Sequence, residues 1–570
     1  MKKYKNHIAR KIALILGDDA DRIESLLEMP PSEEMGDLAF PCFSLAKSMR
    51  RAPQSIALDL RDKIGTDDLI GRLEAAGPYV NFYMNKSHLI STVVDQISKE
   101  KYDYGKSYAG SGKTVIIEYS SPNIAKPFGI GHLRSTVIGA SLKKIYEHLG
   151  FRVVSINHLG DWGTQFGKLI YAYRTWGDEN KLNEDPIGHL YELYVKVHQA
   201  EENNSEVAQL TRLEFKKLEE GDAGNLELWK RFSDLSRNEF RKIYRMLGVA
   251  FDSEHGESFY TDKIPGVEEN LRKRDLIEES REAIIIDLEK HGMPPILIRK
   301  SDDTTLYATR DLAAALYRKE KYRFDKMIYV VGVAQTLYFK QLFKALELMG
   351  NDWAHDCHHV SFGWVKLGEE MMSTRRGNIV FLEDVLTRTI EKARKIIEEN
   401  SPDLPDPDGV AYAVGIGAVI FTDLSCRRDT DIAFDWDSML DFRGNSGPYI
   451  QYSHARICSI LRKYGREISN KYNADLLLLP EEYLLAKMLS RYPDIINKAA
   501  KDFDPYHISN FLLELCGIFN TYYQKYRLPA DRILSSKSDL ADSRVALTNC
   551  VGIVLYSGLR LLGIAAPEMM

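Results

Sequence analysis

One irregular stretch concentrates most of the chemistry in this chain: Glu118-Tyr-Ser-Ser-Pro-Asn-Ile-Ala-Lys-Pro-Phe-Gly-Ile-Gly-His-Leu-Arg-Ser135. Gly129 and Gly131 let a bulky ligand approach the backbone, and Lys126 and His132 carry donors suited to phosphate oxygens. A helix opening near His132 to Ser135 would add free amides that favour an anion. A nucleoside triphosphate fits this set. A second glycine-rich loop, His158-Leu-Gly-Asp-Trp-Gly-Thr-Gln-Phe-Gly167, contributes Gly160 and Asp161 and follows the next strand-like run. Taken singly, these residues are what any Gly/Pro turn with a solvated Glu118 and Lys126 contains. Two such loops after adjacent strands line one crevice.

Another glycine-rich run misleads. Gly110-Ser-Gly-Lys-Thr114 resembles the tail of a P-loop, but the glycine required five residues upstream is Ser107. It also precedes a strand where a P-loop follows one, so it reads as linker.

The elements that must position the two loops are legible around them. Thr114 to Tyr119 is a β-branched strand. Ile138, Leu142, Ile145 and Leu149 recur at helical spacing, with Gly150 as C-cap, and Phe151 to Ile156 forms a second strand. This is a βαβ unit, the start of an open parallel sheet. Residues from about 170 to 280 predict a charged helical insertion. Strands resume at Ala283 to Asp287, Lys326 to Val331 and His359 to Val365, and from Leu382 onward the pattern is helical. Upstream, Ile8, Ile12 and Ile15 and the run Phe43 to Met49 predict helices, Tyr79 to Tyr83 a strand, and Tyr102 to Gly112 a linker. The predicted fold class is α/β: a Rossmann-type parallel-sheet catalytic domain (106–385), a small α+β N-terminal domain (1–105) and an all-helical C-terminal bundle (386–570).

The chain has 570 residues, 44% hydrophobic and 28% charged, with net charge −6. It can bury several cores, and a polyanion partner must dock on a local basic surface. Six scattered cysteines without a C-x-x-C pair suggest neither a disulfide framework nor a zinc ribbon. Asp356-Cys-His-His359 reads as a strand entry, because neighbours on a strand point to opposite faces. Met1 to Leu16 lacks the apolar region of a signal peptide, and Gly409 to Phe421, the longest near-apolar run, is too short to span a bilayer. The expectation is a cytoplasmic protein without a membrane segment.

The sequence resembles a class I aminoacyl-tRNA synthetase, specifically the arginyl-tRNA synthetase family. Ser121-Pro-Asn-Ile-Ala-Lys-Pro-Phe128 followed by Gly131-His-Leu-Arg-Ser-Thr136 is similar to that family's version of the H-x-G-H signature. The His158 to Gly167 loop, Leu306-Tyr-Ala-Thr-Arg-Asp311 and Tyr329-Val-Val-Gly-Val-Ala-Gln335 are similar to later blocks. Met372-Ser-Thr-Arg-Arg-Gly-Asn378 resembles the K-M-S-K-S loop. Asp435-Trp-Asp437 and Gly447-Pro-Tyr-Ile-Gln-Tyr452 resemble the start of the helical anticodon-binding domain.

The resemblance implies ATP-dependent activation of L-arginine to arginyl-adenylate and transfer to the 3′ end of arginine tRNA, with Mg2+ accompanying ATP. In this family, activation usually needs the tRNA. Glu118 and Asp311 match the positions that bind the guanidinium, with Tyr307 lining the pocket. A planar cation wants carboxylates in fork geometry. A helix N-cap is the other reading of Asp311. Ser121, Asn123 and Gln335 match positions that hold the amino end, and Gly129, Gly131, His132, Gly160 and Asp161 the ATP. Lys126, His132, Ser373, Arg375 and Arg376 are the implied catalytic donors. The tRNA contacts are Tyr79, Asn81, Tyr449, Arg456 and Met570, with bundle core as the other reading of Tyr449. The partners are therefore arginine tRNA, L-arginine and ATP, for a chain expected to act as a monomer. Gly129 replaces the first histidine of H-x-G-H, and Met371 and Thr374 replace the two lysines of K-M-S-K-S. These departures leave a catalytically inactive tRNA-binding paralogue as the alternative.

Overall fold

The computed structural model describes residues 1–280, 283–299, 307–367, 370–371, 380–468, 472–525 and 538–570. At the N-terminus, β1 (Leu38–Pro41), β2 (Ile70–Ala76) and β3 (Tyr79–Met84) form an antiparallel sheet in the order β1-β3-β2. Gly77 turns β2 into β3 with φ +58°, a left-handed conformation that glycine supplies without strain. The helix Lys2–Leu16 buries Tyr4, Ile8 and Ile12, one face at four-residue spacing.

The stretch expected to be a linker is docked instead. The Tyr104 side chain is buried, its hydroxyl donates to the Leu489 carbonyl at 3.1 Å, and its ring stacks on Tyr492. The α-ammonium of Met1 donates to the Ser490 carbonyl at 3.0 Å, and Lys487 pairs with Asp37 at 2.8 Å. The N-terminal unit is thus packed on the helical one, an arrangement that no local pattern in the sequence encodes.

In the centre, β4 (Thr114–Glu118) and β5 (Arg152–Ile156) pair in parallel through the helix Gly131–His148. The strand expected at Ala283 to Asp287 exists but does not join them. β6 (Glu278–Ser280), β7 (Ala283–Ile286) and β8 (Ile296–Arg299) form a separate antiparallel sheet. The reason is physical: an apolar run says "buried strand" without saying in which sheet. The parallel sheet is completed by β9 (Lys326–Gly332) and β10 (Cys357–Phe362), in the order β10-β9-β4-β5. Val115, Ile116 and Ile117 are all fully buried, as in a strand covered on both faces. The chain leaves β4 toward β5 and returns on the other side at β9, so the winding reverses between β4 and β9. The carboxyl ends of those strands frame the crevice where such sheets bind ligands.

The insertion is helical, from Thr164–Trp176 through Ala223–Leu247. Beyond β10, β11 (Val365–Leu367) pairs antiparallel with β12 (Glu370–Met371) and in parallel with β13 (Ile432–Phe434), the one strand among the described residues after Leu382. The remaining C-terminal elements are helices. Two of them, Pro407–Leu424 and Asp539–Leu562, are long and apolar enough to cross a membrane, which corrects the estimate based on Gly409 to Phe421 alone. Those apolar windows are 61% and 83% buried, and they form the core of the bundle. On β10, His359 contacts the Val331 carbonyl while His358 faces Phe503 and Lys326, so the neighbouring histidines diverge as strand geometry requires.

Candidate active site

Glu118 is the last residue of β4, and the chain after it is strained. Ser120, Ser121 and Ala125 have φ of 70°, 47° and 58°, left-handed values that side chains rarely adopt. Each costs about 1–3 kcal/mol and persists only where its surroundings impose it. Here they do. The Ser120 amide donates to Ser135 Oγ at 2.9 Å, the Ser121 amide to Asn157 Oδ1 at 3.1 Å and the Ala125 amide to Ser236 Oγ at 2.9 Å. Ser121 and Asn123 are half-buried on this loop.

The two glycine-rich loops lock together at Gly160. Its amide donates to the Pro122 carbonyl at 3.1 Å, and its carbonyl accepts from the Ile124 amide at 3.2 Å. A Cβ on Gly160 would lie 2.0 Å from Asn123 Oδ1, so glycine leaves the Asn123 side chain its place against the second loop. Asp161 is fully buried. Its carboxylate accepts from the Ser258 amide and hydroxyl at 2.8 and 2.9 Å and from Arg237 at 3.1 Å. That side chain pins the second loop to neighbouring segments and is closed off from a ligand.

Further along the loop, Gly129 bridges Phe381, the Ile130 amide donates to the Val380 carbonyl at 3.1 Å, and the Leu382 amide donates to the Phe128 carbonyl at 2.9 Å. Ser373, Arg375 and Arg376 lie outside the described residues, as does the side chain of Tyr307. The chain that follows Arg376 is nevertheless bound to the signature loop within six residues. Gly131 opens its helix, exposed and with open space around it. His132 Nδ1 is 3.3 Å from the Gly129 carbonyl; only a protonated Nδ1 can donate there, which leaves the Nε2 lone pair outward. Burial pushes the His132 pKa down, the Gly129 carbonyl opposes this, and Lys126 adds to the lowering. Lys126 Nζ lies 5.1 Å over the Tyr194 ring of the helical insertion.

At the other end, the helix Tyr307–Tyr322 carries Asp311 and Arg318, two turns apart on one face. Asp311 lies in the second turn and is therefore no N-cap. Arg318 donates to Glu118, and both are buried. His158 stands between the carboxylates: Nδ1 is 3.3 Å from Arg318 Nη2, and Nε2 is 3.5 Å from Asp311 Oδ1. The Tyr338 hydroxyl donates to the other oxygen of Asp311. The Glu118 side chain is 8% exposed and that of Asp311 24%, so Asp311 is the carboxylate a guest can reach. Tyr329 Oη and Arg318 Nε are buried without a hydrogen-bond partner among the described residues, and both belong to this same cluster of charges. Gln335 is exposed in the turn that leaves β9.

The structure brings Glu118, Asp311, Ser121, Asn123 and Gln335 to one edge of the sheet. Sequence reasoning missed Arg318, Tyr338, Tyr329 and the part played by His158. The two-turn spacing from Asp311 to Arg318 was the available signal.

The remaining candidates lie elsewhere. Tyr79 packs edge-on against the exposed Phe43 at 5.5 Å, and Asn81 is buried two residues along β3. Tyr449, Arg456 and Met570 line one cavity of about 1000 Å³ in the helical domain, and Tyr449 is half-buried, packed against the bundle core on one side and open to the cavity on the other. Arg456 donates to Asn520 and lies between the rings of Tyr452 and Tyr523 at 4.8 and 4.9 Å.

Known proteins match this arrangement along its whole length. Residues 93–436 match the family of class I (R) tRNA synthetase catalytic domains, residues 2–84 the arginyl tRNA synthetase N-terminal domain and residues 450–570 the DALR anticodon-binding domain. An arginine–tRNA ligase from Clostridium botulinum is 48% identical over 567 residues, and one from Halothermothrix orenii is 45% identical over 568; each match covers 100% of both chains. The solved arginyl-tRNA synthetase of Thermus thermophilus superposes with a TM-score of 0.81 at 25% identity, covering 95% of this chain and 96% of that one. A reversing parallel sheet, its paired glycine-rich loops and a full-length match to these ligases together make this chain a member of the arginyl-tRNA synthetase family.

Proposed function

We propose that the chain ligates L-arginine to the 3′ end of arginine tRNA at the expense of ATP, in the crevice between the carboxyl ends of β4 and β9. One observation carries the reading: Asp311 and Glu118, 193 positions apart in sequence, converge on His158 and Arg318 beside the strained loop that leads to His132. Asp311 takes the guanidinium, while Glu118 holds Arg318 and shapes the pocket's floor. Ser121, Asn123 and Gln335 receive the amino end.

The substrate carboxylate then attacks the α-phosphorus, and the bond to the β-phosphate bridging oxygen breaks to release pyrophosphate. A terminal hydroxyl of the tRNA next attacks the carbonyl carbon, and AMP leaves. No protein group need become covalent, so rate comes from position and charge stabilisation. Gly129, Gly131 and Gly160 give the nucleotide room, and the Asp161 carboxylate stays with Ser258 and Arg237, holding the loop. With Nδ1–H on the Gly129 carbonyl, the neutral His132 ring keeps a lone pair at Nε2. A bound triphosphate favours the imidazolium, and Nε2–H then donates to it. Lys126, Ser373, Arg375 and Arg376 supply the further donors. These donor groups are nitrogen cations and hydroxyls, unsuited as a set to a hard cation, so Mg2+ would be held by phosphate oxygens and water and would share their charge.

Tyr79 meets the tRNA body, with the buried Asn81 behind it on β3, and Tyr449, Arg456 and Met570 meet the anticodon side, where aromatic and guanidinium faces suit unstacked bases. The reading includes a cytoplasmic monomer. The six free cysteines suit a reducing compartment, and sedimentation tests the mass. The test of activity is charging of arginine tRNA, with pyrophosphate exchange run with and without tRNA. Charging supports the proposal, and its absence with tRNA bound refutes it.

A further inference from the structure

The charges around the arginine pocket pair off. Arg318 neutralises Glu118, Arg310 lies 3.0 Å from Glu257, and Arg237 lies 3.1 Å from Asp161. Among the described residues, the ionic partner of Asp311 is a group that can lose its charge, His158, at 3.5 Å.

His158 is surrounded by charged and polar groups from several elements, with its side chain 10% exposed. Asp311 and Arg318 face it from the helix Tyr307–Tyr322, and Glu118 faces it from β4. Glu257 and the Tyr260 ring, its centroid 5.6 Å away, approach from the turn Glu257–Lys263, and the His255 carbonyl lies 3.3 Å from Nδ1. Burial disfavours the charged ring, but Asp311 and Glu118 outweigh it, and the pKa is raised above that of an ordinary histidine.

The two neighbours of Nδ1 require different protonation states. The His255 carbonyl needs an N–H there, whereas the Arg318 guanidinium, which only donates, needs a lone pair. With the ring charged, Nδ1–H serves the carbonyl, the imidazolium forms an ion pair with Asp311 at 3.5 Å without a hydrogen bond from Nε2, and the charges among the described residues of the pocket balance. With the ring neutral, Nδ1 accepts from Arg318, the ion pair with Asp311 is lost, and one negative charge among the described residues is uncompensated. That single charge is the complement of one guest guanidinium. A guest entering the charged state would put two cations on one carboxylate in a buried site, which is costly.

We propose that arginine binding in this pocket expels the ring proton of His158, so that the residue sets the charge the pocket accepts. The inference rests on the arginine-pocket reading above. Its test is calorimetric titration of the full chain with arginine at about pH 7, in two buffers of different ionisation enthalpy, repeated at lower pH. The expected results are proton release on binding and an arginine Kd that weakens toward tenfold per pH unit below the ring's pKa, a slope that ATP binding lacks. His158→Asn should bind arginine with a flat pH profile and release no proton. Absence of proton release in the unaltered chain, or equal release from His158→Asn, would overturn the proposal. Because the unaltered chain gives the count alone, a misfolded variant does not decide the matter. If the folded chain binds no arginine at any pH, the pocket reading fails and not the linkage.

Discussion

Arg318 donates into Glu118 across the floor of the pocket although 200 residues separate them. Both side chains are almost fully buried, at 1% and 8% exposure, so each relies on the other to remain charged away from water. A built-in guanidinium therefore already occupies one of the two carboxylates that a substrate guanidinium would seek. Arg318→Met should leave Glu118 as a buried, unpaired anion and cost about 3–5 kcal/mol in chemical denaturation. Adding Glu118→Gln should recover much of that loss. Equal stability of the single and double variants would show that the pair is not coupled.

Asp311 is the open carboxylate, and removing its charge should act on one substrate alone. Asp311→Asn should raise the KM for arginine by roughly 10- to 150-fold, the worth of one hydrogen bond to a charged group, and leave the KM for ATP within a factor of two. Pyrophosphate exchange in the presence of tRNA measures both. An unchanged arginine KM removes Asp311 from the pocket.

Gly160→Ala tests the lock between the two loops. A methyl group there meets Asn123 Oδ1 at 2.0 Å, so the Asn123 side chain must turn away from its place between the loops. The expected cost is about 1–3 kcal/mol of stability, together with a fall in kcat/KM for both ATP and arginine. An Asn123→Gly partner substitution should restore stability. Normal activity in the single variant would mean that the loops need not touch.

How much of this was legible in the sequence follows from the range of each signal. The helix Gly131–His148 and the strands β4 and β5 were readable because their periodicity is local, and so were the glycines that let the loops approach. The docking of Tyr104 against Leu489 and the pairing of Arg318 with Glu118 join residues hundreds of positions apart, and no spacing rule reports them. Ala283 to Ile286 shows the same limit: the strand was visible and its sheet was not. Asp161 is a nucleotide-loop candidate by its place in a glycine-rich run, while the partners of its carboxylate, Ser258 and Arg237, come from far along the chain and left no local signal.

A second buried pair joins the signature helix to the helical domain. Arg134 and Asp423 are both fully buried, 3.3 Å apart, and Arg134 also donates to the Thr430 carbonyl at 2.6 Å. Burial raises the Asp423 pKa, and Arg134 opposes the shift. Arg134→Met and Asp423→Leu should each destabilise by about 3–5 kcal/mol, and the double variant by less than either. Additive losses in a double-mutant cycle would show that the two side chains act independently.

The helical-domain cavity should serve tRNA alone. Tyr449→Ala should raise the KM for tRNA by roughly 5- to 150-fold, the worth of one stacked base, with the KM for arginine and for ATP unchanged at saturating tRNA. A shift in all three would place Tyr449 in the bundle's stability instead.

The most direct measurement is transfer of labelled arginine to arginine tRNA by the full chain with ATP. Arginyl-tRNA should accumulate and pyrophosphate should be released, while citrulline, similar in shape but uncharged, should not be transferred. Tight tRNA binding with no arginine transferred under any condition would contradict the account.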